Sequence, residues 1–223
     1  MSFWEITQQS LPILLKGGII SIELYVLTIV FALPLGLPIA LGENSRIKPI
    51  AWLCRGYVAL FRGTPLMLQL MFFYYGIPII FGPEYSFNQI TTAVIAFVLN
   101  YAAYLAEIYR GGLNGIDKGQ YEAAHSLGLT SGQTMAGIII PQTMRVVLPP
   151  VSNEMINLVK DTALASVIAL PELMHKATGI VNSTQNLLPY FYAAVLYLLF
   201  TIVLTSLLRH MEGHFSKFSD RGA

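Results

Sequence analysis

Four stretches of this chain, residues 24–42, 63–83, 89–106 and 187–208, carry no charged side chain. Each is close to the roughly 20 residues that an α-helix needs to cross the hydrocarbon core of a bilayer. Only helices and closed barrels satisfy every backbone N–H and C=O away from water, so runs of this length predict spanning helices. A fifth stretch, residues 146–170, has apolar ends but contains Glu154, Lys160 and Asp161. Ionisable groups inside a membrane bundle are costly, and where they persist they mark function. Pro34 and Pro38 in the first stretch, and Pro65 and Pro78 in the second, are kinks that membrane helices tolerate. The expected fold is an all-α membrane protein with five transmembrane helices, at about residues 17–42, 56–82, 89–112, 144–170 and 187–211. They form one domain over 1–223, with a polar insert at about 115–141. Composition agrees, since 11% of residues are charged where a soluble chain would carry about a quarter.

Other function classes drop out. A net charge of +1 offers no basic stripe for a nucleic acid. The single cysteine, Cys54, allows no intrachain disulfide and no cysteine metal cluster. The histidines (125, 175, 210, 214) lack metal-ligand spacing, so no metal is assigned. The N-terminus lacks a basic leader and a small-residue cleavage site, so the first segment is expected to stay in the membrane. No GxxxxGK[ST] phosphate loop is present, nor a GxSxG, paired-Asp or HExxH hydrolase motif. No internal repeat is visible, which argues against carriers built from doubled halves.

Basic residues near the span ends indicate orientation, because they are retained on the cytoplasmic side. Arg46, Lys48 and Arg55 follow the first span; Arg110, Lys118 and Arg145 flank the insert; Arg209, Lys217 and Arg221 mark the tail. Residues 82–88 have no Lys or Arg, 171–187 only Lys176, and the N-terminal segment only Lys16. The N-terminus is therefore expected outside, with the insert and C-terminus in the cytoplasm. Glu23 is isolated and is expected near the outer interface.

Within the insert, Asp117 with Gln120 makes a capping-box-like helix start. The helix continues through Glu122, Ala123, Ala124 and Leu127, and Gly128 suits the left-handed residue that ends it. Thr130 or Ser131, with Gln133 or Thr134 following, begins a second short helix toward Pro141. Two roles fit these residues: an elbow resting on lipid headgroups, or a docking knuckle. For the latter, Ala123 and Ala124 permit close approach, Tyr121 and Leu127 supply apolar anchors, and Glu122 can pair with a basic partner.

The third and fourth spans carry polar faces. Asn100, Tyr104, Glu107 and Gly111 recur at helical spacing, and Asn153, Glu154, Asn157, Lys160 and Asp161 fall within a sector of roughly 120°. Such a set matches a zwitterion: Lys160 for an α-carboxylate, and Glu107, Glu154 or Asp161 for an α-ammonium. The alternative is an internal ion pair of Lys160 with Asp161 or Glu154, although one cation cannot neutralise three carboxylates. Glu107 can instead pair with Arg110.

The run Glu122-Ala123-Ala124, with Gly128 four residues on and then, after nine intervening residues, Ile138 to Pro141, resembles the EAA loop of bacterial ATP-binding-cassette importer permeases. Ile140 stands where that loop usually has Leu. Arg62-Gly63-Thr64-Pro65-Leu66-Met67-Leu68-Gln69 is similar to the RGTPLxxQ segment of the polar amino-acid uptake group (histidine, glutamine, arginine, cystine). The segments Asn100 to Arg110, Ser152-Asn153-Glu154 and Leu158 to Thr162 resemble the same group, in family order.

The resemblance implies a type I importer, MetI-like permease fold and a permease subunit that is not itself an enzyme. Its cargo would be a polar or charged amino acid. It implies ATPase coupling through Glu122, Ala123, Ala124, Leu127 and Gly128. Substrate contacts would come from Asn100, Tyr104, Glu107, Glu154, Asn157, Lys160, Asp161 and Thr162. The implied partners are a second copy or close paralogue, two cytoplasmic ATPases that hold ATP and Mg, an extracytoplasmic binding protein and membrane lipid. No cofactor is implied in this chain, and the location is a bacterial cell (inner) membrane. The rivals are an ion-coupled secondary transporter using Glu107 and Asp161, and a membrane scaffold or sensor.

Overall fold

The computed structural model describes residues 3–217, with side chains described at 4–210 and 212. The side chains of His214 and Lys217, and all of Arg221, lie outside the described residues. Helix α1 runs Phe3–Glu43 without interruption despite Pro12, Pro34 and Pro38. At 1.5 Å per residue it is about 60 Å long, twice a bilayer core, and it begins well before position 17. Helix α2, Lys48–Gly63, starts with proline in its first turn, where a missing N–H costs nothing.

What the sequence presents as one kinked span over 56–82 is two helical segments meeting at 104°. Pro65 has no N–H, so the Phe61 carbonyl loses its helical donor. Side chains replace it: Gln69 Nε2 donates to Phe61 O at 2.9 Å and Asn100 Nδ2 at 3.0 Å. Gln69 also reaches Thr64 O and Oγ1, and its own Oε1 accepts from Asn100. Beyond the bend come α3 (Leu66–Met71), a π-helical turn (Phe72–Gly76) and α4 (Ile77–Phe81). The π turn lies where Pro78 would crowd the carbonyl four residues back. A second π turn, Met135–Ile139, precedes Pro141 in the same way.

Helix α5, Gln89–Asn114, is capped by Asn88, whose side chain accepts from Thr91 N at 2.8 Å. It buries Ala93, Ala96, Ala102, Ala103 and Ala106. Against this small face lies Gly36 of α1, where an added Cβ would sit 2.9 Å from Leu105 Cβ. Close approach of small residues is how helices associate without a hydrophobic drive between them. The insert forms α6 (Lys118–Ser126) and α7 (Ser131–Thr134), and α8 (Ile140–Asp161) returns antiparallel to α5. The helix of the fourth span ends at Asp161 and tightens to 3-10 turns over Thr162–Ile168. The core of Leu24, Leu70, Phe97, Leu158 and Ile168 joins α1, α3, α5, α8 and that 3-10 segment.

After left-handed Ala169 the chain bends by 54° into α9 (Leu173–Thr184), and α10 (Leu188–Lys217) closes the bundle. The joint is built on Glu172, which is wholly buried. Its carboxylate caps α9, accepting from Met174 N at 2.8 Å and His175 N at 2.6 Å. It also accepts from Ser21 of α1 at 3.3 Å and Tyr197 of α10 at 2.9 Å. Among the described residues three helices are long and apolar enough to cross a bilayer unaided, and the two bent pairs bring the total to five. Helix α10 exposes Phe191, Leu198, Ile202, Val203 and Leu207, a surface suited to lipid.

Candidate functional site

The Pro65 bend opens a hollow of about 580 Å³ between α5 and the far half of α8. Its lining includes Thr64, Pro65, Asn100, Tyr101, Tyr104, Glu154, Asn157, Lys160 and Asp161. Six residues expected from the helical spacing thus share one cavity: Asn100, Tyr104, Glu154, Asn157, Lys160 and Asp161. The volume falls within the range of small-molecule sites. The internal pairing of Lys160 is not present: the side chain is exposed and no carboxylate lies within ion-pair distance among the described residues. Asp161 Oδ2 instead accepts from Tyr101 Oη at 2.7 Å. Glu154 is half-buried and receives no hydrogen bond among the described residues. The cavity therefore offers a free ammonium and carboxylates with spare acceptor capacity. Asn100 is less available, since its Nδ2 is committed to Phe61 and Gln69.

Two expected contact residues lie elsewhere. Glu107 is not in the lining; it pairs with Arg110, as its spacing allowed, and with Arg62 at 3.4 Å. Thr162 is fully buried and donates to Val159 O at 2.7 Å. It borders a separate apolar cleft of about 240 Å³ between α1, α8 and α10. Arg62 and Tyr101 were missed. Arg62 opens the Arg62 to Gln69 segment, off both polar helix faces, and Tyr101 stands next to Asn100 in the chain.

In the insert, Asp117 caps α6 by accepting from Gly119 N, but Gln120 does not reach back to complete a box; it binds Gln142 instead. The reciprocal box belongs to α7, where Gln133 N donates to Thr130 Oγ1 and Gln133 Oε1 accepts from Thr130 N. Gly128 takes the left-handed conformation, φ +76. Glu122, Ala123 and Gly128 are exposed, and Leu127 is 79% exposed. Ala124 differs: at 1% exposure it packs inward against its own chain and is closed to a partner.

Residues 32–217 match a family described as the binding-protein-dependent transport system inner membrane component. The chain belongs to that family. It is a membrane permease subunit, placed in a bacterial inner membrane. The arginine transport system permease protein ArtQ of Bacillus subtilis is 37% identical over 92% of this chain and 94% of its own length. The L-cystine transport system permease protein TcyB of the same organism is 40% identical over 93% and 88%. A solved amino acid ABC transporter, crystallised with histidines, superposes with a TM-score of 0.88 at 34% identity, covering 96% of this chain and 99% of that one. The MetNI methionine ABC transporter shares the fold, with a TM-score of 0.69 at 17% identity, and supports the MetI-like architecture. None of these relatives favours an ion-coupled carrier.

Proposed function

We infer that this permease moves a polar or charged amino acid through the cavity between α5 and α8, driven by a separate ATPase. The observation that carries this reading is the unpaired Lys160 ammonium facing a hollow that also holds Glu154 and Asp161. An α-carboxylate satisfies the ammonium, and an α-ammonium satisfies the carboxylates, while Tyr104 and Asn157 set orientation. Cargo that excludes water from the hollow lowers the local dielectric, and these contacts strengthen as it does so. The relatives named for arginine and cystine support this cargo class.

Two copies of the chain, or one copy and a close paralogue, form the pathway. An extracytoplasmic binding protein delivers the cargo. The basic residues beside α2 and the insert favour an external N-terminus and a cytoplasmic insert. There Glu122, Ala123, Leu127 and Gly128 meet one of two ATPase subunits, which hold ATP and Mg; Ala124 supports the helix from within. ATP binding shifts the population toward the outward-open state.

The test is a thermal-shift screen of the assembled complex against all common amino acids. A rise in midpoint confined to polar or charged amino acids supports the cargo class, and no rise with any of them opposes it. For coupling, Glu122→Lys should abolish uptake while membrane insertion persists; normal uptake would remove the exposed α6 face from the docking surface.

A further inference from the structure

Between the cavity and the insert, four charges from three helices form a continuous chain. Glu43, at the end of α1, lies 3.8 Å from Arg110 Nε on α5. Arg110 pairs with Glu107 one turn back on the same helix. Glu107 Oε2 is 3.4 Å from Arg62 Nη1, near the end of α2. The Arg62 guanidinium in turn sits 5.4 Å from the ring centroid of Tyr104, a wall of the cavity. Two acids alternate with two bases, so the set is neutral while closed. From Asn100 to Arg110 α5 rises about 15 Å, which puts these charges on the insert side of the cavity.

The two ends of the chain differ. Arg62 and Glu107 are 39% and 28% exposed, so water reaches their contact and the pair is weak enough to open. Glu43 is 4% exposed, and its Oε2 has no hydrogen bond among the described residues. A buried carboxylate left undersatisfied calls for an explanation, and a second arrangement of the charges supplies one. Arg62 also stands three residues before Pro65, so a change of bend that shifts the end of α2 on α5 opens the Arg62–Glu107 contact. Arg110 would then turn wholly to Glu43.

We propose that Glu43, Arg110, Glu107 and Arg62 form a latch that closes the insert-side mouth of the cavity. Arg62 is its positioning residue, holding α2 against α5. Cargo seated against Tyr104 displaces the Arg62 guanidinium from that ring, and so loosens the latch only when the cavity is occupied. This rests on the import reading, but the closing step depends on this chain alone.

The experiment uses Glu107→Gln in two settings. In the full complex, ATP hydrolysis is measured without any amino acid. In vesicles holding the permease alone, Asn157→Cys on a Cys54→Ala background is labelled by a membrane-impermeant thiol reagent from the insert side. Both rates should rise roughly three- to tenfold, the scale of a shift on losing two partly exposed pairs, to Arg62 and to Arg110. Adding Arg62→Gln to Glu107→Gln should raise labelling no further, because their contact is already lost. Unchanged labelling in a properly inserted Glu107→Gln chain overturns the latch, as does a double variant that labels faster than Glu107→Gln alone. Faster labelling in a chain that never binds an ATPase would keep the latch and sink the import reading.

Discussion

Glu172 and the pair Glu154 and Asp161 are carboxylates in the same helical bundle, but their surroundings differ. Glu172 is wholly buried and receives four hydrogen bonds, two from backbone N–H groups and two from hydroxyls. Those partners come from α1, α9 and α10, so the group ties three helices together. Glu154 and Asp161 are half-buried, and Tyr101 is their one hydrogen-bond donor among the described residues. Beside them Lys160 has no counter-ion among the described residues. A charge whose bonding capacity is full stabilises the fold, because removing it strands its donors. A charge with capacity to spare adds little to the fold and is available to a ligand.

That contrast can be broken by mutation. The largest effect is expected for Glu172→Ala, which leaves two backbone N–H groups and the Tyr197 hydroxyl without an acceptor. Thermal or chemical unfolding in detergent should show a loss of about 3–5 kcal/mol. An unchanged stability would erase the distinction between the two sites. Next is Gly17→Ala, whose new Cβ would lie 3.0 Å from the Glu172 carbonyl carbon and oxygen and the Leu173 Cα. Overpacking of backbone against backbone should cost about 1–3 kcal/mol, read by the same unfolding assay. The smallest effect is expected for Lys160→Ala, which should unfold within about 0.5 kcal/mol of the parent. A large loss there would mean that Lys160 holds the bundle together after all.

The sequence exposed the cavity better than the joint, for a physical reason. Helical spacing alone brought Tyr104 on α5 and Glu154, Asn157, Lys160 and Asp161 on α8 onto matching faces, because period and polarity suffice to find a polar stripe in an apolar helix. Glu172 has no such stripe. Its signal was the pair Pro171-Glu172 ahead of an apolar segment, a helix start whose meaning depends on Ser21 and Tyr197 far away in the chain. The 104° bend was concealed likewise. Pro65 suggested a kink, but its size depends on Gln69 and Asn100 satisfying the Phe61 carbonyl, and that is a tertiary event. Glu107 fell on the polar face by spacing and was drawn out of the cavity by Arg62, a residue on another helix. Ala124 matched a docking motif while its side chain turned inward, because one helix face cannot serve a partner and the core at once.

The central claim, that the cavity grips an amino acid through Lys160, is tested most directly by the cargo dependence of ATP hydrolysis in the assembled complex. Parent and Lys160→Ala complexes are compared while the amino acid that shifts the parent's melting midpoint is titrated. The account predicts stimulation in the parent and its loss in the variant, with basal hydrolysis and complex assembly retained. Equal stimulation at equal concentration in both would contradict it.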